Sequence, residues 1–493
     1  MLLNIVLAVI SGILLFLVHP SFDLALLAPV AVAPLVYALA REHRPKHRFL
    51  LGYVTGLVFW AGVNYWIHFV LATHGGMGWA VASLAWLVFL ILKAVHLGIF
   101  GLLGGILIQT RFAVPALAAL WVGIERAPTW FEYRWLTLGN AGINMGYPLR
   151  LAPWTGVYGL SFLFALIGSA VALALIHRNR AAIRWAVVPV LLAALPALPE
   201  PVQPKHVAVS VQPNVEERDD WNAAQVDLLH RKLEALTLQV ALVRGQAYPS
   251  LMLWPEIPGP VYYDDYATLR DKVRQVVLIG RAPLLMGTVA SAKSGAPLNS
   301  AQLVSLAGEP VERYDKIFPV PFGEYVPWPF DGLVRQVSDE AGEFQAGNRI
   351  VVFQAGTQKV GAFICYESAF PHLVRQFAAK GAQVFANLSN DGYFGATAAR
   401  MQHLSVVRMR AAENRRWILR STNDGVTASI DPAGRVTQVF APRTETSGRL
   451  GYMPVDELTF YTKRGDVFAW GCAVFAVAAL VLSQLPRRVT TGA

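Results

Sequence analysis

Cysteine is nearly absent: two occur in 493 residues, Cys365 and Cys472. Cys472 falls inside an apolar run near the C-terminus, and a bond from there to a polar region is not expected, so no disulfide framework organises the chain. Charge is scarce too. Asp, Glu, Lys and Arg make up 15% of the residues against 55% hydrophobic, with a positive mean hydropathy of +0.42, which excludes a purely soluble protein. Acidic residues are scarcest where the chain is most apolar. Outside residues 200–465 there are 5 Asp and Glu against 14 Lys and Arg, whereas inside them the figures are 27 and 28. The net charge of +10 therefore belongs to the hydrophobic part, which argues against a nucleic-acid face and for membrane topology. A metal-ligating cluster, a dinucleotide fingerprint and a phosphate-binding loop are missing as well, so no cofactor is expected.

What is present first is apolar length. Runs at about 2–18, 24–40, 50–71, 78–109, 112–126, 158–176, 182–198 and 467–485 predict eight membrane-spanning helices. No Lys or Arg precedes the first run and no small-residue cleavage site follows it, so it reads as a span rather than a removed signal peptide. With eight spans, Arg41, Arg44, Lys46, Arg48, Arg111, Arg178, Arg180, Arg184, Arg487 and Arg488 share one side, and Arg126, Arg134 and Arg150 flank the other. The positive-inside rule makes the richer side cytoplasmic, with both termini there and residues 200–465 in the periplasm of a two-membrane bacterium. Asn64, His68, Lys93 and His96 lie within apolar runs, where polar groups serve either function or pairing inside a bundle. Trp130, Tyr133, Trp135 and Trp154 make the loop 127–157 resemble an interfacial aromatic belt.

Composition changes at Pro196, Pro199, Pro201 and Pro204. Beyond them the pattern alternates: strand 206–212, helix 222–243, strand 250–254, helix near 266–276, strands near 284–289 and 300–306. It continues with strand 359–364, helix 369–379, strand 383–387, helix 397–413 and strands near 417–421 and 426–430. Alternating strands and helices predict an α/β layered domain over 200–465, between a helical region 1–199 and a last span with a cytoplasmic tail, 466–493.

Three apolar stretches in that domain end on reactive groups. Val360 to Ile364 leads to Cys365-Tyr366-Glu367, Leu251 to Pro255 leads to Glu256, and Tyr314-Asp315-Lys316 opens a Pro- and Gly-rich loop reaching Glu324. A cysteine attacks as thiolate and needs a base or a cation beside it. His372 and His403 are the imidazole candidates, yet neither ends a strand. Glu256 as base and Lys316 as stabiliser of an oxyanion fit the pattern better, with a backbone N–H after Cys365 assisting. Taken singly, each has a plain structural reading: a surface Glu, a solvated Lys, a core Cys.

Trp254-Pro-Glu256, Tyr314-Asp-Lys316 running on to Pro321-Phe-Gly-Glu-Tyr-Val-Pro327, Cys365-Tyr-Glu367 and Asn387-Leu-Ser-Asn-Asp-Gly-Tyr-Phe-Gly395 together resemble the carbon-nitrogen hydrolase (nitrilase) superfamily. Within it, the layout of spans and external domain resembles the apolipoprotein N-acyltransferase family over almost the whole chain. The resemblance implies a nitrilase-like α-β-β-α sandwich outside the cytoplasm and a triad of Glu256, Lys316 and Cys365. It also implies supporting roles for Glu324, Tyr366, Glu367 and Trp221, with Asn387 and Asn390 in the substrate region. Tyr393 stands where the family usually has tryptophan, Pro213 where it usually has glycine, and Gly139-Asn-Ala141 replaces an expected Gly-Phe-Pro-Trp run.

The reaction so implied is ping-pong. A phospholipid, typically phosphatidylethanolamine, acylates Cys365, and the amine of an S-diacylglyceryl-cysteine at an apolipoprotein N-terminus takes the acyl group. A monomer that needs no cofactor and binds no nucleic acid is expected. Two rivals share parts of this pattern: a membrane-anchored amidase with water as acceptor, and a transporter or receptor whose external domain only binds ligand. The segment 325–348, with Trp328, Phe330 and Leu333 before Asp339, Glu340 and Glu343, is expected to form an amphipathic lid.

Overall fold

The computed structural model describes residues 1–128, 133–177, 184–218, 220–256, 259, 261–326 and 344–485. The central part of the expected lid, 327–343, lies outside the described residues.

Among the described residues, three helices are long and apolar enough to cross a membrane: Trp79–Leu107, Val157–Ile176 and Val467–Gln484. The eight expected spans thus reduce to three by this measure. A fourth arises if Pro45–Val63 and Trp66–His74, bent by 52° at a short break, count as one. Leu2–Leu17 and Ala25–Arg41 are apolar but shorter, and 112–126 folds as the 14-residue helix Ala113–Arg126. The run 182–198 makes only short turns between Arg184 and Ala194, because Pro189 and Pro196 interrupt it. Glycine lets the helices approach closely: a Cβ on Gly52 would lie 2.0 Å from Leu97 O, and one on Gly101 would lie 2.2 Å from Arg48 O.

The polar half contains two six-stranded sheets. The first comprises β1 (His206–Gln212), β2 (Leu251–Trp254), β3 (Leu284–Ser291), β4 (Pro297–Val304), β5 (Pro310–Asp315) and, returning to pair with β1, β12 (Thr446–Tyr452). The second comprises β6 (Val352–Ala355), β7 (Gln358–Ile364), β8 (Val384–Ser389), β9 (Ile418–Thr422), β10 (Ala428–Ile430) and β11 (Val436–Val439). Side-chain alternation along a strand explains the layering. Val209, Val211, Met252, Trp254, Leu284 and Met286 turn to one core with Leu229, Leu233, Val273 and Val277 of helices Ala223–Ala241 and Ala267–Gly280. Their neighbours Ala208, Leu251, Leu253 and Leu285 join the other core with Phe363, Phe385 and Leu419 of the second sheet. Ser210 on β1 meets Ser421 on β9 at 2.9 Å between the sheets. The result is the expected α-β-β-α sandwich. The pattern reading missed β5, β6, β11 and β12, which are short, polar or rich in glycine and lie at sheet edges, where an alternating apolar face is not required.

Strand direction positions the site. β1, β2 and β3 run parallel, as do β7, β8 and β9. β5 shares the direction of β3, since both are antiparallel to β4. The loops after β1, β2, β5, β7 and β8 therefore leave one edge of the sandwich, the edge where layered α/β proteins collect ligand-binding groups.

That edge abuts the helical half through the helix Ala399–Asn414. Gln402, fully buried, receives hydrogen bonds from Trp66 Nε1 at 3.2 Å and Trp135 Nε1 at 2.8 Å and donates to Pro20 O and Val63 O at 3.1 Å. Gln402→Leu keeps the volume but orphans these groups, and a stability loss of about 2–3 kcal/mol is expected. Thermal unfolding in detergent checks this, and an unchanged transition would mean the four bonds carry no net weight.

Candidate active site

At the end of β7 the chain turns sharply. Cys365 has φ +48°, a left-handed conformation uncommon outside glycine, and opens the short turn Cys365–Ala369. Glu367 holds this turn. Its Oε2 accepts from Ile364 N at 2.7 Å, while Oε1 accepts from Ile317 N at 2.7 Å and Tyr314 Oη at 2.6 Å. One carboxylate thus ties the cysteine turn to the segment bearing Lys316. Burial pushes its carboxyl up to about 7 against these donors.

Lys316 is 2% exposed and sits between two carboxylates. Its Nζ lies 2.9 Å from Glu324 and 3.4 Å from Glu256 Oε1. Burial alone would lower the ammonium, but the charges of Glu256 and Glu324 override it and the group is held well above the ordinary lysine value. Asn299 Nδ2 donates to both carboxylates, at 2.7 Å to Glu256 and 2.5 Å to Glu324. Glu324 is fixed by its own loop, accepting from Val320 N at 2.7 Å. Glu256 receives a third hydrogen bond, from Asn390 N at 2.9 Å.

Cys365 Sγ, 8% exposed, lies 4.0 Å from Asn390 O. Burial pushes the thiol up, Glu256 pushes it further and Lys316 pulls it down, leaving it well above its ordinary value. A thiol held up in this way needs a base beside it to attack. Asn390 touches three partners at once: the sulfur through its carbonyl, Glu256 through its N–H, and Glu217 through Nδ2 at 2.6 Å.

The other expected residues are placed further out. Tyr366 Oη accepts from Arg134 N at 2.8 Å, and its ring stacks on Tyr133 and Trp135, so it joins the cysteine turn to the helical half. Asn387 donates to Phe363 O at 3.2 Å and accepts from Arg420, a structural commitment under the site. Trp221 donates to Arg218 O at 2.9 Å and lies against Gly259 and the outer core. Of the two histidines, His403 points Nε2 at the backbone oxygen of Cys365, 3.0 Å away, and Nδ1 at Asp391, 2.9 Å away. Asp391 also pairs with Arg420 at 2.6 Å. Burial would raise its carboxyl, but Arg420 and His403 hold it far below the carboxylate range. This buried cluster braces the loop after β8. His372 lies at the start of helix Pro371–Ala379, edge-on to Phe318 and Phe370.

The intramembrane polar residues also find partners. Lys93 Nζ donates to Tyr133 O at 3.1 Å between the Trp60 and Tyr133 rings, and Asn64 Oδ1 accepts from Tyr133 Oη at 3.0 Å. They hold the loop on which Tyr366 rests. Sequence reasoning missed Asn299, Glu217 and Gln402, polar residues without a local pattern whose partners are distant in the chain.

Comparisons with known proteins match both halves of the chain. Residues 11–170 match a family model described as the apolipoprotein N-acyltransferase N-terminal domain, and residues 233–457 match one described as carbon-nitrogen hydrolase. A protein of Geobacter metallireducens named apolipoprotein N-acyltransferase is 33% identical over 513 residues, covering 98% of this chain and 95% of the relative. One of the same name from Chlorobaculum tepidum is 30% identical over 527 residues, covering 98% and 97%. An amidase of Nesterenkonia AN1 from the nitrilase superfamily aligns in structure with a TM-score of 0.41 and 18% identity, over 55% of this chain and 98% of that one. End-to-end similarity to the Geobacter and Chlorobaculum proteins, spanning both the helical half and the sandwich, makes the chain a member of the apolipoprotein N-acyltransferase family.

Proposed function

We propose that the protein transfers a fatty acyl chain from a phospholipid to the N-terminal amine of an S-diacylglyceryl-cysteine lipoprotein, through a thioester on Cys365. The observation that carries this reading is Lys316, buried between Glu256 and Glu324 beside a buried thiol at a strand end.

Glu256 takes the Sγ proton as sulfur attacks the ester carbonyl. The negative charge that develops on the carbonyl oxygen is met by the Lys316 ammonium and the N–H following Cys365, fixed donors in a site with little water. The C–O bond breaks, the lysophospholipid leaves with the proton from Glu256, and the acyl group stays on sulfur. The acceptor amine then attacks the thioester, the C–S bond breaks as the amide C–N bond forms, and the proton lost by nitrogen reaches the departing sulfur by way of Glu256, restoring the thiol.

A lipid donor is supported by the apolar helices that carry the sandwich, and the strand-end edge lies on the side facing them. In this reading the apolar helices are set in the inner membrane, the sandwich is periplasmic, and the cation-rich loops are cytoplasmic.

The test is intact-protein mass spectrometry after incubation with phosphatidylethanolamine and no acceptor. A gain of one fatty acyl mass, discharged by a diacylglyceryl-cysteine peptide with formation of an amide, is expected. An adduct discharged equally fast by water alone would favour an amidase, and no adduct on folded protein would overturn the reading.

A further inference from the structure

We propose that Glu217 is the group that recognises the acceptor as an ammonium, and that it thereby sets transfer to an amine above hydrolysis. The inference rests on the two-step reading above and names the residue that gives its second step specificity.

Glu217 lies in the loop after β1 and meets Asn390, the same residue that faces the sulfur. Asn390 Nδ2 donates to Glu217 Oε1 at 2.6 Å, while the N–H of the same residue holds Glu256 and its carbonyl faces Sγ. The distance from Glu217 to the nucleophile is therefore spanned by one residue. The approach is close: a Cβ on Gly392, two residues after Asn390, would lie 2.6 Å from Glu217 Oε1, so a side chain there would displace the carboxylate. Tyr393, 41% exposed, adds a hydrogen bond to the carboxylate, and its ring is met edge-on by His74 of the helix Trp66–His74. This corner of the site thus opens where the sandwich meets the membrane helices, the direction from which a lipid-anchored N-terminus would come.

Among the described residues, no cation forms an ion pair with Glu217. Glu217 faces the carboxylates of Asp424 and Glu256, and burial together with those charges pushes its carboxyl up to about 8. The neighbouring Arg218 is turned to Glu216 at 3.4 Å and to the Trp221 ring. Lys316 is already shared by Glu256 and Glu324. Asp424, 8% exposed, gives one oxygen to Arg400 and keeps Oδ1 without a partner among the described residues. An arriving ammonium supplies one positive charge and three N–H donors, and favours the ionised form of Glu217. Water and alcohols bring no charge and gain nothing comparable.

The chemistry balances. The docked R–NH3+ gives one proton to Glu256, which passes it to water, and becomes the nucleophile. The C–N bond forms, the C–S bond breaks, and the second proton leaves nitrogen by way of Glu256 for the departing sulfur, restoring the thiol. The amide keeps the third hydrogen, and Glu217 ends ionised as it was in the complex.

The experiment separates the half-reactions in Glu217→Gln, which keeps the shape and the acceptor atom for Asn390. With phosphatidylethanolamine alone, the variant is expected to reach the wild-type extent of acyl-enzyme, which also reports that it is folded. With a diacylglyceryl-cysteine peptide, its KM for the peptide rises roughly tenfold or more while kcat changes much less, and a larger share of acyl-enzyme ends as free fatty acid. Glu217→Asp recovers part of the loss. An unchanged peptide KM and unchanged partition on a normally acylated variant would overturn the proposal. So would loss of acylation in step with transfer, since Glu217 would then serve the scaffold. Wild-type protein that never forms the acyl-enzyme would instead remove the reading on which the proposal stands.

Discussion

Cys365→Ala is expected to abolish acyl transfer while leaving the fold in place. The fold is spared because the unusual backbone belongs to the position. A φ of +48° costs an alanine about the same 1–2 kcal/mol as it costs a cysteine, so the exchange adds little strain. The turn is held by Glu367 through Ile364 N, Ile317 N and Tyr314, none of which touches the thiol. Activity has no such reserve. Without sulfur no thioester forms, and removing a nucleophile from a comparable acyl-transfer site lowers kcat by about 10^6-fold. The measurement is amide formation on a diacylglyceryl-cysteine peptide, beside a thermal transition in the same detergent. A variant retaining more than a few per cent of transfer would show that Cys365 is not the nucleophile.

Lys316→Met is the second large effect, and here both activity and stability are expected to fall. Methionine nearly matches the lysine stem, so packing changes little. What disappears is the one ammonium shared by Glu256 and Glu324, in a place 2% exposed. Breaking a buried ion pair by removing one partner costs about 3–5 kcal/mol, because the charges left behind are uncompensated. In the proposed mechanism the donor facing the oxyanion is lost as well, worth on the order of 10^2 to 10^3 in rate. A lower unfolding temperature is expected to accompany that loss. Wild-type stability with wild-type transfer would contradict the buried-pair geometry.

Much of the architecture was legible because it is written in local periodicity. β1, β2, β3, β7, β8 and β9 are apolar runs of strand length, and the helices between them carry one apolar face, so an alternating α/β pattern follows without tertiary information. The span count was not legible in the same way. Apolar runs at 24–40, 50–71 and 182–198 satisfy a composition test, yet proline and a break after Val63 divide them into shorter helices. Composition reports what a segment prefers to touch, not whether its backbone continues.

The chain by itself determined its two-part organisation, the strands that end on Glu256 and Cys365, and the loop that begins at Lys316, since each is an uninterrupted stretch whose chemistry changes at a definite residue. Only the tertiary structure decided how those ends meet. Asn299 reaches Glu256 across 43 residues, Asn390 reaches Glu217 across 173, and Gln402 joins Trp66 across 336. A polar side chain at such a position looks the same in sequence whether it is solvated or is the one donor between two buried carboxylates. The difference lies in burial, which removes water as a competing partner and makes the remaining contact matter. The same cause lifts the Cys365 thiol and holds the Lys316 charge, and both depend on the closure of two sheets against a membrane half that no local pattern encodes.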